Sequence, residues 1–116
     1  MSTIALPLPP SVNSLWRTGR GRMYRSRRYV AWLTEAGWEL KAQRPKRFAG
    51  AVRIDVAIGR PDRRKRDLDN VATKAIQDLL TAHQIIEDDS LVTSLAARWD
   101  DTITPGTVHV TLTPAT

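Results

Sequence analysis

Val52-Arg53-Ile54-Asp55-Val56-Ala57-Ile58, then Gly59, then Arg60-Pro61-Asp62-Arg63-Arg64-Lys65-Arg66-Asp67-Leu68-Asp69-Asn70, is the stretch whose pattern decides the fold. Val52, Ile54, Val56 and Ile58 alternate with Arg53, Asp55 and Ala57, which predicts a strand with one face buried. A basic loop follows. Beyond it Val71, Ala72, Ala75, Ile76, Leu79 and Leu80 recur at helical spacing. The expected helix starts at Asp67 or Asp69 and fades near Thr81-Ala82-His83. Leu91 to Trp99 reads as the next strand, with Leu91, Thr93, Leu95 and Ala97 on one side. After a turn from Asp100 to Gly106, Val108, Val110 and Leu112 alternate in a last strand. These last two strands are expected to form an antiparallel hairpin with a long loop.

Towards the N-terminus, Ile4-Ala5-Leu6-Pro7-Leu8 predicts a short strand closed by Pro9-Pro10. Residues 11–25 form a Gly- and Arg-rich loop with a small hairpin near Met23-Tyr24. Ser26 caps a helix running to about Arg44, where Pro45 stops it. Tyr29, Leu33, Ala36 and Leu40 mark its buried face, and Trp32 and Trp38 beside them read as packing residues. The order β-α-β-α-β-β implies an α/β (α+β) fold. The expectation is one domain over residues 1–116, a mixed four-stranded sheet with two main helices packed on it.

Composition narrows the chemistry. The chain has 116 residues, a net charge of +6, no cysteine and 2 histidines. Disulfides, thiolate catalysis and cysteine zinc sites are excluded. The apolar runs are short and broken by charge, and the first residues lack the basic start and apolar run of a secretory signal. A soluble cytoplasmic protein with no membrane span is expected. The positive charge favours an anionic partner, of which nucleic acid is the commonest. Arg17, Arg20, Arg22, Arg25, Arg27 and Arg28 form one run, Arg44, Lys46 and Arg47 a second, and Arg60 to Arg66 a third. Arginine dominates, which suits forked contacts to phosphate oxygens. Arg63, Arg64, Lys65, Arg66, Asn70, Arg20 and Arg22 are the expected DNA contacts.

Within this basic chain the acidic residues are concentrated. Asp67 and Asp69 are two apart, and Asp88-Asp89 follows one helix length later. Carboxylates repel a phosphate backbone, so placing them beside cations makes sense when they hold a divalent metal facing the phosphate. Oxygen donors without His or Cys select Mg²⁺, with Mn²⁺ as a substitute. Lys74 is placed to neutralise charge developing on the phosphate. Singly, each piece has an ordinary explanation: Asp as a helix cap, Asp-Asp as a turn, Lys as a surface residue. The basic loop, Asp67-Leu68-Asp69-Asn70, the lysine and Asp88-Asp89 arrive in order, and together they point to a metal-dependent nuclease.

At these residues the chain resembles the RusA family of Holliday junction resolvases. The likeness is carried by Pro61 to Asn70, Lys74, Asp78-Leu79-Leu80-Thr81 and Glu87-Asp88-Asp89-Ser90, with Leu6-Pro7-Leu8-Pro9-Pro10-Ser11-Val12-Asn13 at the start. It implies a homodimeric, magnesium-dependent crossover junction endodeoxyribonuclease. Such enzymes resolve four-way DNA junctions by paired symmetric nicks in recombination and repair, often in phages and prophages. The resemblance implies that Asp67, Asp69 and Asp89 bind metal and are needed for cleavage, with Asp88 a supporting carboxylate in the metal set. It implies that Lys74 assists catalysis and that Asn70 lies beside the site. One departure stands out. The family lysine lies four residues after the second aspartate, whereas Lys74 lies five after Asp69 and Thr73 holds the usual position. On one continuous helix that offset is about 140°.

Two rival readings follow from the same residues. A non-catalytic basic DNA-binding module would use the aspartates as caps and turns, and an RNA-binding structural protein would leave their pattern unexplained.

Overall fold

Along the chain run β1 (Ser2–Pro7), β2 (Trp16–Gly19), β3 (Arg22–Arg25), α1 (Arg27–Ala42), β4 (Val52–Ile58), α2 (Thr73–Ala82), β5 (Val92–Trp99) and β6 (Thr107–Pro114). The computed structural model describes residues 1–115, so Thr116 of the expected domain lies outside the described residues. The main sheet has the order β1-β6-β4-β5, and β2-β3 forms a separate hairpin. β6 is antiparallel to both β1 and β4, while β5 is parallel to β4. The mixed four-stranded sheet with two helices is therefore present as expected.

The expected β5–β6 hairpin is not. β4 lies between those strands, and the loop from Asp100 to Gly106 crosses its end. The Asp100 amide donates to the Ile58 carbonyl at 2.8 Å, and the Gly59 amide to the Thr107 carbonyl at 2.9 Å. Composition gives the reason. β4 buries Val52, Ile54, Val56, Ala57 and Ile58, so it takes a central slot. β5 carries Thr93, Ser94 and Arg98 and takes the edge, where Thr93 and Leu95 are exposed.

One face of the sheet meets the helices. Ile4 and Leu6, Val52, Ile54, Val56 and Ile58 of β4, and Val108, Val110 and Leu112 join Tyr29, Trp32, Ala36 and Leu40 of α1 in one core. Ala75, Ile76, Leu79 and Leu80 of α2 complete it. Each fully buried Ile, Leu or Val contributes about 1.5–3 kcal/mol. Ser26 caps α1 as expected, its hydroxyl accepting from the Tyr29 amide at 3.1 Å. Trp32 is buried, its indole N–H donating to the Pro7 carbonyl at 2.9 Å. Trp38 departs from expectation and is 70% exposed beneath the Lys41 ammonium. It sits two residues from both Ala36 and Leu40, hence on the opposite side of the helix. Leu33 is only partly buried.

The hairpin near Met23-Tyr24 is present. Its two-residue tip, Arg20-Gly21, has φ of 50° and 76°, the positive pair that a tight type I′ turn requires. Arg17, Arg20, Arg22 and Arg25 are exposed on it. No helix among the described residues is long and apolar enough to cross a membrane.

Candidate active site

The basic loop leaves the C-terminal end of β4 and folds back along β5. A short 3-10 helix, Leu68–Asn70, lies against the edge strand. Asp67, Asp69 and Thr73 share a groove of about 680 Å³ with Leu95 and Ala97 of β5. Both aspartates are exposed, and among the described residues neither has a side-chain hydrogen bond or ion pair. The expected single helix beginning at Asp67 or Asp69 is replaced by two pieces. Val71 forms an isolated antiparallel bridge with Ser11, which holds the chain extended there, and α2 begins only at Thr73. Asp67 and Asp69 therefore do not sit at the N-terminus of α2. The 140° offset also loses its meaning, because Asp69 and Lys74 are not on one helix.

Lys74 occupies the first turn of α2. Its ammonium donates to Asp89 Oδ2 and lies 3.1 Å from Asp78 Oδ1. Thr81 Oγ1 is 2.5 Å from Asp89 Oδ1 and 3.0 Å from the Gln77 carbonyl. Its single proton goes to the charged acceptor, the stronger bond. Lys74, Asp78 and Thr81 stand at i, i+4 and i+7, one stripe of α2 facing Asp89. Behind them the fully buried Tyr29 donates its hydroxyl to Asp78 Oδ2 at 3.0 Å. The sequence marks Asp78 and Thr81 only as part of the family likeness and Tyr29 only as a packing residue, none of them as a site residue. The helical spacing of Lys74, Asp78 and Thr81 is a signal that would have found the first two.

The charges respond to these contacts. Partial burial works to raise the Asp89 carboxyl, but hydrogen bonds from Lys74 and Thr81 outweigh it and hold it below 3.8. The Asp89 and Asp78 carboxylates raise the Lys74 ammonium above 10.5. Burial, then the bond to Asp78, pushes the Tyr29 phenol up to about 12, so it remains a donor at ordinary pH.

Asp88 serves its own turn. Its Oδ2 accepts from the Ser90 amide at 2.9 Å and from the Ser90 hydroxyl, capping the 3-10 helix Asp89–Leu91. In the basic loop, Asp62 takes a forked contact from Arg66, at 3.2 Å from Nε and 2.6 Å from Nη2. Arg66 is thus engaged within the loop, while Arg63, Arg64 and Lys65 are exposed. Asn70 is exposed and lines a cleft of about 320 Å³ with Lys65, Arg66, Asp67 and Trp99. Arg20 and Arg22 lie apart from this loop, on the exposed hairpin.

Among the described residues no three acidic or histidine side chains already form a metal-holding cluster. The donor chemistry fits a hard cation nonetheless. Asp67 and Asp69 have unengaged carboxylates, and the ammonium of Lys74 already sits on Asp89 as a resident positive charge.

Sequence comparison places the chain among known proteins. The family model described as Endodeoxyribonuclease RusA matches residues 7–113. The crossover junction endodeoxyribonuclease RusA of Aquifex aeolicus is 33% identical over 92 residues, covering 75% of this chain and 68% of its own. The protein of that name from Escherichia coli (strain K12) is 38% identical over 91 residues, covering 78% and 75%. That from Shigella sonnei is also 38% identical over 91 residues, with the same coverage.

Proposed function

Because the chain belongs to the RusA family of endodeoxyribonucleases, we propose that it is a crossover junction endodeoxyribonuclease that resolves four-way DNA junctions in recombination and repair. It works in the cytoplasm with Mg²⁺, for which Mn²⁺ substitutes. Asp67, Asp69 and Asp89 hold the metal, Asp88 shapes the turn that presents Asp89, and Lys74 assists the cut. The observation that carries this reading is the contact of Lys74 with Asp89, which joins α2 to the turn before β5. Thr73, the residue before Lys74, lines the groove of Asp67 and Asp69, which supports treating the two acidic segments as one site.

The reaction is addition of water across a P–O bond of the backbone, leaving one phosphomonoester end and one hydroxyl end. A divalent cation held by the carboxylates supplies Lewis acidity and lowers the pKa of an attacking water. The protein does the rest. Asp67 and Asp69 orient the site from the loop. The Lys74 ammonium offers its charge to the phosphate oxygens as negative charge builds in the transition state. Arg63, Arg64 and Lys65, with Arg20 and Arg22 on the hairpin, hold the arms through phosphates, which fixes position without reading sequence. Asn70 contacts the strand beside Asp67, and Arg66 stiffens the loop through Asp62 while lining the same cleft. A junction has two equivalent strands related by a twofold axis, so a C2 dimer with one site per subunit delivers the paired nicks.

The test is cleavage of a synthetic four-way junction with and without Mg²⁺, by the parent and by Asp69→Asn. The parent cuts two opposed strands symmetrically, only with the metal. Asp69→Asn loses cleavage by at least about 100-fold, as removal of a key electrostatic group does, and binds the junction as well or better because a repulsive charge is gone. Cutting by Asp69→Asn at the parental rate refutes the site. Metal-independent binding by the parent with no nicked product would leave the passive DNA-binding module instead.

A further inference from the structure

We propose that Asp78 is the positioning residue for Lys74, held in turn by the buried hydroxyl of Tyr29. The proposal rests on the reading that Asp89 binds metal and Lys74 assists cleavage. Each oxygen of the two carboxylates has a partner. Asp89 gives Oδ1 to Thr81 and Oδ2 to Lys74, and Asp78 gives Oδ1 to Lys74 and Oδ2 to Tyr29. A divalent cation arriving at Asp89 competes with the ammonium for that carboxylate. Once displaced, a lysine that is 62% exposed has many rotamers open to it unless something else holds it. Asp78 is that second partner. It lies one helical turn from Lys74 and is anchored from α1 rather than from the metal side. Tyr29 is held by the core, since it is fully buried and packs near Trp16 and Trp32 at ring separations of 6.1 and 6.5 Å. The ammonium is thereby kept beside the reacting phosphate at the moment its original partner is taken.

Two measurements test this, one kinetic and one independent of catalysis. In single-turnover junction cleavage with Mg²⁺, Asp78→Asn slows the cut about tenfold, the worth of one charge-assisted hydrogen bond, with junction affinity unchanged. Tyr29→Phe slows it less. Asp78→Asn adds no further loss once Lys74 is changed to alanine, whereas a purely structural role would add its loss in that background too. A parental rate for Asp78→Asn, or an additive loss, overturns the proposal. A parental rate for Lys74→Ala would refute the catalytic part given to Lys74. The positioning claim then stands or falls on the ammonium itself, observed by NMR with ¹⁵N-labelled lysines; Lys41, Lys46, Lys65 and Lys74 are the lysines of the chain. In Asp89→Asn the Lys74 ammonium signal persists, held by Asp78. In the Asp89→Asn, Asp78→Asn double variant it is lost to fast exchange. Its survival in the double variant overturns the proposal.

Discussion

Asp89 is charged because its neighbours make the charge worth keeping. Its side chain is only 28% exposed, and burial works to raise its carboxyl. Lys74 and Thr81 reverse that, so its folded pKa lies below 3.8. The stability it contributes is present above 3.8 and is lost as pH falls through the lower folded value. Lys74 has the opposite sense. Its folded pKa lies above 10.5, so its share is complete below 10.5 and is lost as pH rises through the folded value. Thermal melting of DNA-free protein in EDTA should show both flanks. Asp89→Asn should lower Tm near neutrality by a few degrees, about 1 kcal/mol, and flatten the acid flank, while Lys74→Met should flatten the alkaline flank. Unchanged slopes in both variants would contradict the contact. At this scale order and charge single out Asp67, Asp69, Asp88, Asp89 and Lys74 as candidates, of which the structure joins Lys74 and Asp89. Tyr29 stayed hidden, because its partner Asp78 is 49 residues away on another helix and only the packed fold brings them together.

Gly59 shows how one residue fixes an element. A Cβ there would stand 2.2 Å from the Thr104 carbonyl oxygen and 2.7 Å from that of Ile103. The loop that carries Asp67 and Asp69 therefore starts from a backbone contact with the β5–β6 connection that leaves no room for a side chain. Gly59→Ala should cost about 1–3 kcal/mol, read as a fall in Tm, and should reduce junction cleavage by displacing the basic loop. Parental Tm and cleavage would show the approach to be looser than described. Strand and helix identities were legible wherever periodicity was strong, as in Val52–Ile58 and in the apolar stripe from Ala72 to Leu80. The neighbour of β5 was not. Sequence adjacency favoured pairing with β6, but burial gave the central place to β4. The start of α2 is hidden for a related reason. The aspartates look like caps, yet a long-range bridge from Ser11 to Val71 keeps the chain extended until Thr73.

The whole molecule measures 43 × 35 × 26 Å and carries exposed arginines on the β2–β3 hairpin and on the loop that holds Asp67 and Asp69. Two opposed cuts in one junction need two sites, which is the geometric case for a twofold dimer. On the proposed reading the cations draw in the phosphates and the aspartates hold a metal, so the account turns on whether the separated carboxylates share one. Asp89 is joined to Lys74, while Asp67 and Asp69 line a groove with Thr73, the residue before Lys74. Anomalous diffraction from a crystal soaked in manganese tests this most directly. The account predicts a peak bounded by the carboxylates of Asp67, Asp69 and Asp89 in each protomer; a clear map with no peak among those three side chains would contradict it.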